Sequence, residues 1–182
     1  MSLVNAADAL LVEIDIQEKF IPITWRIDRV IANANKLLAA AEVVGIPVIA
    51  SEQYPEGLGR TSARVKLPAG VEPHWKVHFD CFRDEKLRAA AAAFGRRTLV
   101  VAGIEAHVCV CQSVLTAMRL GYEVHVAADA VSSRSEEDYR IAIDRMRQSG
   151  ALIDSTEMIL FQLLETSKDP RFPALSAIVK KP

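Results

Sequence analysis

Cys109, Asp15 and Lys76 are three side chains of this 182-residue chain that could together cleave an acyl bond. Each stands just past a short apolar run: Asp15 after Leu10-Leu11-Val12, Lys76 after an extended piece at Trp75, and Cys109 shortly after Thr98-Leu99-Val100-Val101. A cysteine in the first turn of a helix meets unpaired backbone N–H groups and a partial positive charge, which favour the nucleophilic thiolate. An acid ending an apolar strand is costly unless it is paired or used. A lysine among Trp75, Val77 and Phe79 puts a positive charge beside apolar surface. Nucleophile, proton carrier and electrostatic partner are the parts that covalent acyl transfer requires. Taken singly, each has a plainer reading: Cys109 as a small buried hydrophobe, Asp15 as an acid at a strand's mouth, Lys76 as a solvated lysine.

Other polar and aromatic residues gather around the same strand ends. Gln17 follows Asp15, and His107 precedes Cys109 by two. Phe20, Trp25, Tyr54, Trp75 and Phe79 all fall after strand ends or in one long loop. As pocket lining they suit a small, planar or apolar substrate; as packing they plug the core or a subunit contact. His107, Cys109 and Cys111 carry metal-ligand chemistry, but two-residue steps do not share a helix face, so no metal is expected there. Cys81 and Cys111 read as packing residues. Gly57-Leu58-Gly59-Arg60-Thr61 lacks the Gly-Lys-Ser/Thr of a phosphate loop and reads as a flexible turn. Ser132, Ser133 and Arg134 suit a helix cap or a neighbouring subunit. No cofactor site emerges.

The elements that must position these residues follow one grammar. An amphipathic run, a glycine and a short β-rich run recur at Gly45, Gly95, Gly121 and Gly150. Glycine just past a helix takes the left-handed conformation, and the runs that follow are short and rich in β-branched residues. Ile27, Val30, Ile31, Ala34, Leu38 and Ala41 share one helical face. Asp84 can cap a helix running to Phe94, and Ser135 with Asp138 resembles a capping box. Further helices are expected over 107–120 and 157–164, with an opening strand over 9–15. The strand after Gly121 is expected at 122–126, with Asp129 at its end. Residues 51–80 are too rich in Pro, Gly and polar groups for a helix and read as a functional excursion. Strands alternating with helices predict parallel β-α-β units and an open α/β sheet, whose ligands bind beyond the strands' carboxyl ends.

Composition narrows the classes. Lysine plus arginine number 22 and aspartate plus glutamate 23, a net charge of −1, with 51% hydrophobic residues. That is ordinary globular composition, and the length suits one domain spanning residues 1–182. No single-sign charge excess points to nucleic acid or an anionic membrane. No apolar run approaches the roughly 18–20 residues that cross a bilayer. The first twelve residues lack the basic start of an export signal, so three cysteines predict free thiols in a reducing cytoplasm.

Four segments, in order, carry a resemblance. Leu11-Val12-Glu13-Ile14-Asp15-Ile16-Gln17, Lys76-Val77-His78-Phe79-Asp80-Cys81-Phe82, Gly103-Ile104-Glu105-Ala106-His107-Val108-Cys109-Val110 and Asp129-Ala130-Val131-Ser132-Ser133 resemble the signature segments of the isochorismatase-like cysteine hydrolases. Ser51 to Gly59 resembles the subgroup of isochorismatase domain-containing proteins. The resemblance implies a three-layer α/β/α sandwich around a six-stranded, mostly parallel sheet. It implies a catalytic triad of Asp15, Lys76 and Cys109, with Asp15 as the proton carrier and Lys76 raising the thiolate fraction. It implies a cis peptide between Ile104 and Glu105, with the backbone N–H groups of Glu105 and Cys109 forming an oxyanion hole. The substrate would be a small-molecule amide or related carbonyl compound, cleaved through a thioester, and the protein a homo-oligomer. The nicotinamidase branch has an Asp-x-His metal pattern where this chain has Glu52 and Tyr54, which weighs against zinc and nicotinamide. A metal-assisted nicotinamidase-like enzyme and a catalytically silent scaffold of the same fold are the alternatives.

Overall fold

The chain folds as alternating strands and helices, described for residues 3–181 in a computed structural model. The elements are β1 (Ala9–Ile14), α1 (Ile27–Val44), β2 (Val48–Gln53), α2 (Pro55–Leu58), β3 (His74–Lys76), α3 (Glu85–Ala93), β4 (Thr98–Ile104), α4 (Cys111–Arg119), β5 (Glu123–Ser132), α5 (Glu136–Gln148), β6 (Leu152–Asp154), α6 (Thr156–Leu164) and α7 (Phe172–Val179). Among the described residues, the six strands form one sheet in the order β3-β2-β1-β4-β5-β6, and every adjacent pair is parallel. The sheet is thus wholly parallel rather than mostly so. Its strand order reverses direction between β1 and β4, the place where doubly wound sheets bind ligands.

Strand alternation divides the core in two. Leu11, Val100 and Ala102 join Val30, Ile31, Ala34 and Leu38 of α1, Ile159 and Leu163 of α6, and Leu175 of α7. Leu10, Val12, Val101 and Val126 join Leu87 of α3, Val114 of α4 and Met146 of α5. Helices therefore cover both faces, which explains why β1 and β4 are apolar throughout most of their length. Among the described residues, no helix is long and apolar enough to cross a membrane.

Several expectations need correction. The stretch 107–120 is not one α-helix: a π-helical turn spans Ala106–Val110 and α4 follows it. β5 runs on to Ser132, so Asp129 lies inside it. The pairing with β4 breaks between Val101 and Gly103, then resumes as Gly103 with Val131 and Ile104 with Ser132. The excursion over 51–80 holds a short helix, α2, because Pro55 occupies its first turn, where a missing N–H costs nothing. Gly57 to Thr61 is tied down rather than flexible. Lys19 donates to Gly57 O, Gln17 to Gly59 O, and Gln17 pairs with Thr61 in an antiparallel bridge. Asp84 and Ser135 do cap α3 and α5, each accepting a backbone N–H in the first turn.

Candidate active site

β1 ends in a tight turn that sets Asp15. Its φ is 53°, a left-handed conformation unusual for a residue with a Cβ. Three hydrogen bonds fix it. Asp15 N–H donates to Ser51 O at 3.1 Å, Gln17 N–H to Asp15 O at 2.7 Å, and Ile16 N–H to Glu13 Oε1 at 3.3 Å. β4 presses on the same turn. A Cβ built on Gly103 would stand 2.1 Å from Ile14 O, and the φ there is +125°, so only glycine fits.

β2 and β3 then supply the partners of the carboxylate. Ser51 Oγ donates to Asp15 Oδ1 at 2.7 Å, and Lys76 Nζ donates to Asp15 Oδ2 at 2.7 Å. Lys76 Nζ also donates to Gln53 Oε1 at 2.8 Å and Phe79 O at 3.3 Å, so its three protons have three acceptors. Both side chains of the ion pair are fully buried. Although burial works against the charged form, the Asp15 carboxylate holds the Lys76 ammonium above its ordinary range. Such a pair is costly to break, because either partner alone would be an uncompensated buried charge.

The third member arrives on the π-helical turn after β4. Cys109 is 4% exposed, and its thiol lies close enough to Asp15 and Lys76 to feel both charges. Burial pushes the thiol's pKa up, the Asp15 charge pushes it further, and Lys76 only partly opposes them. This runs against the expectation of an enhanced thiolate fraction: burial and the Asp15 charge both favour the thiol. Burial was invisible in the sequence, and it outweighs the favourable charge of Lys76. π-Turns of this kind recur at functional sites, where they re-aim single side chains.

The remaining candidates fall into two groups. Gln17 is buried and fully engaged, donating to Gln53 O and Gly59 O and accepting from Gln53 N–H, so it clamps loops rather than offering a free group. Phe20 is half-buried against the first core cluster. Tyr54 just after β2, and Trp75 and Phe79 on either side of Lys76, are each more than half exposed. His107 holds Ser133 Oγ through Nδ1 at 2.9 Å and meets Arg134 through Nε2 at 3.3 Å. Arg134 in turn donates to Glu105 Oε1 at 2.8 Å, and Ser132 Oγ donates to Trp25 O. Ser133 and Arg134 therefore brace the turn after β4, Ser132 holds the segment before α1, and Ser135 takes the helix cap. The Ile104–Glu105 peptide is cis; Glu105 is the N-cap of the π-turn and Cys109 lies within it.

Sequence reasoning missed Ser51 and Gln53 as supports of the pair, although two polar residues ending an apolar strand were a usable signal. It also assigned Cys81 to packing alone. That thiol lies 3.7 Å from Ser51 Oγ, feels the charges of Lys76 and Asp15, and burial pushes its pKa up to about 11. Glu52, opposite the metal pattern of the nicotinamidase branch, spends both oxygens on the loop: Oε1 accepts from Thr61 N–H and Oγ, Oε2 from Arg60. Among the described residues, no group of three or more His, Cys, Asp or Glu side chains is placed to hold a metal ion.

Comparison with known proteins shows the family and the fold. The family model for the isochorismatase domain matches residues 9–158. Isochorismatase domain-containing protein 2 of Danio rerio is 36% identical over 174 residues, covering 96% of this chain and 88% of that protein. The solved structure of the MAR1 ribonuclease of Caenorhabditis elegans superposes with a TM-score of 0.93 at 31% identity, over 99% of this chain and 93% of that one. The ycaC gene product of Escherichia coli, described as an octameric hydrolase of unknown specificity, shares the fold at 21% identity and a TM-score of 0.86, over 98% of this chain and 89% of that one.

Proposed function

The chain belongs to the isochorismatase domain family, and on that premise we propose that it is a cysteine hydrolase of a small-molecule amide or related carbonyl compound. The observation that carries the reading is the convergence of three chain segments: Asp15 and Lys76 form a buried ion pair at 2.7 Å, and the Cys109 thiol is buried near enough to feel both charges.

The chemistry follows from that contact. Cys109 Sγ attacks the carbonyl carbon while its proton passes to Asp15, and the carbonyl π electrons move onto oxygen. Backbone N–H groups of Glu105 and Cys109 receive that oxyanion, a contribution of roughly 3–4 kcal/mol per donor. As the intermediate collapses, the C–N bond breaks and Asp15 returns its proton to the departing amine. Water then gives a proton to Asp15 and attacks the thioester. The sulfur leaves and recovers the proton from Asp15, so amide and water yield acid and amine. Lys76 holds Asp15 in place between steps. No cofactor enters the scheme. Trp75, Phe79 and Tyr54 line the approach and take the apolar body of the substrate.

The same reading places the protein in the reducing cytoplasm, where free cysteines persist. It makes the protein a homo-oligomer, on the analogy of the octameric E. coli hydrolase. Light scattering on the purified chain reads the subunit number.

A panel of small amides, with Cys109→Ala as the blank, tests the activity. We expect amine release by the wild type, none above blank by Cys109→Ala, and an acyl mass gain on the peptide carrying Cys109 after acid quenching. Equal turnover by Cys109→Ala would remove the mechanism.

A further inference from the structure

Glu13 is the one acid in the interior of β1, and the reaction scheme leaves it unused. It is 1% exposed and flanked in register by Ala50 of β2 and Ala102 of β4. Its Oε1 accepts the Ile16 N–H, while its Oε2 has no hydrogen-bond partner. The bond to Ile16 spans Asp15 itself: it closes the turn in which Asp15 takes its left-handed conformation. An orphaned buried carboxyl oxygen is expensive, and a fold tolerates one where it does something else.

We propose that Glu13 is a positioning residue for the Asp15–Cys109 proton transfer: its carboxyl, through the Ile16 N–H, holds the turn that presents Asp15 to the thiol. The proposal rests on the triad reading above but has its own observables.

The working form of Glu13 is the neutral acid. Burial and the nearby Asp15 charge push its pKa up to about 8. The charged groups that act on it are Asp15 on its own strand, Glu52 on β2 and Lys76 on β3. Ala102 on β4 brings no charge. Of the charged side chains of α1, which covers this face, Asp28, Arg29 and Glu42 are exposed and Lys36 reaches Val179 O. Above pH 8, ionised Glu13 adds a second negative charge beneath Asp15. That charge disfavours the negative sulfur that must form during attack, so the turn delivers less reactivity in alkali.

Two variants separate positioning from packing. Glu13→Gln keeps a neutral acceptor for Ile16 N–H; Glu13→Leu keeps the volume and loses the acceptor. The Ile16 amide signal in 1H–15N spectra should shift in wild type with a midpoint near pH 8 and stay flat in Glu13→Gln. Alkylation of Cys109 by iodoacetamide at pH 7 should match wild type in Glu13→Gln. In Glu13→Leu it should change severalfold, in the direction of Asp15→Asn. Absence of an Ile16 inflection between pH 7 and 9 overturns the proposal, even if Glu13→Leu fails to fold. So does a folded Glu13→Leu that alkylates like wild type. If Asp15→Asn itself alkylates like wild type, the triad reading has failed instead, and the Ile16 inflection still reports on Glu13.

Discussion

Two buried polar pairs sit on this sheet, and they differ in use. On one side, Lys76 Nζ and Asp15 Oδ2 are 2.7 Å apart where β3, β2 and β1 end. On the other, His125 Nδ1 and Asp154 Oδ2 are also 2.7 Å apart, between β5 and β6. The distances match, and both pairs are buried. The His125–Asp154 pair has Gln162 Nε2 on its second oxygen and Glu123 beside the ring, and among the described residues no thiol is hydrogen-bonded to it. The Asp15–Lys76 pair has a buried thiol within reach of its charges, a left-handed turn beneath it, and the sheet's reversal point beside it. A short buried polar pair is therefore not what marks a candidate site. What marks it is a reactive third group brought to the strand ends by a separate chain segment.

Asymmetry between the pairs gives the largest expected effects. Asp15→Asn removes the proton carrier, so turnover should fall by about 10²- to 10⁴-fold. It should also lower stability by about 3 kcal/mol, because Lys76 is left buried without a countercharge. Asp154→Asn should leave turnover unchanged and cost about 1–3 kcal/mol in urea unfolding, since it disturbs only a structural hydrogen-bond pair. A comparable loss of turnover in both variants would erase the distinction drawn here.

Ser51→Ala sharpens the comparison at smaller scale. It removes one of the two side-chain bonds on Asp15 while leaving the ion pair, and we expect about 1 kcal/mol of stability and about tenfold in rate. A change in stability with no change in rate would demote Ser51 to packing.

The smallest effect is a slope. Glu13 ionises at its ordinary 4.5 in the unfolded chain and near 8 in the folded one. Between those values the folded state holds a proton that the unfolded state has lost, so stability falls as pH rises through this window. Glu13→Gln cannot titrate. Its urea midpoint should match wild type's pH dependence below the window and gain on wild type from pH 4.5 to pH 8, with the gap constant above. A gap that does not vary with pH contradicts a titrating Glu13.

Much of this was legible from residue types. The glycines after amphipathic runs placed the helix ends because their left-handed conformation is local physics, and β-branched runs placed the strands. Asp15, Lys76 and Cys109 stood out because polar groups at the ends of apolar strands are costly unless used. The rest depended on neighbours across the sheet. β5 continues past Asp129 only because Gly103 and Ile104 resume pairing beyond a break. Ser51 and Gln53 acquire roles only once β2 lies between β1 and β3. Glu13 is visible in the sequence as an acid within an apolar run, but its missing partner is a fact of packing. The charge state of Cys109 went wrong for the same reason: Lys76 was readable and burial was not.

The central claim is that sulfur and carboxylate form one proton-coupled unit, and the pH dependence of Cys109 alkylation by iodoacetamide tests it most directly. With Asp15 in place, its charge and burial hold the thiol protonated well above the ordinary range. In Asp15→Asn that charge is gone while Lys76 remains, so the midpoint should move to lower pH and alkylation at pH 7 should speed up even as amide turnover falls. An unchanged midpoint would mean that the thiol does not feel Asp15, and the proposed site would not exist as a unit.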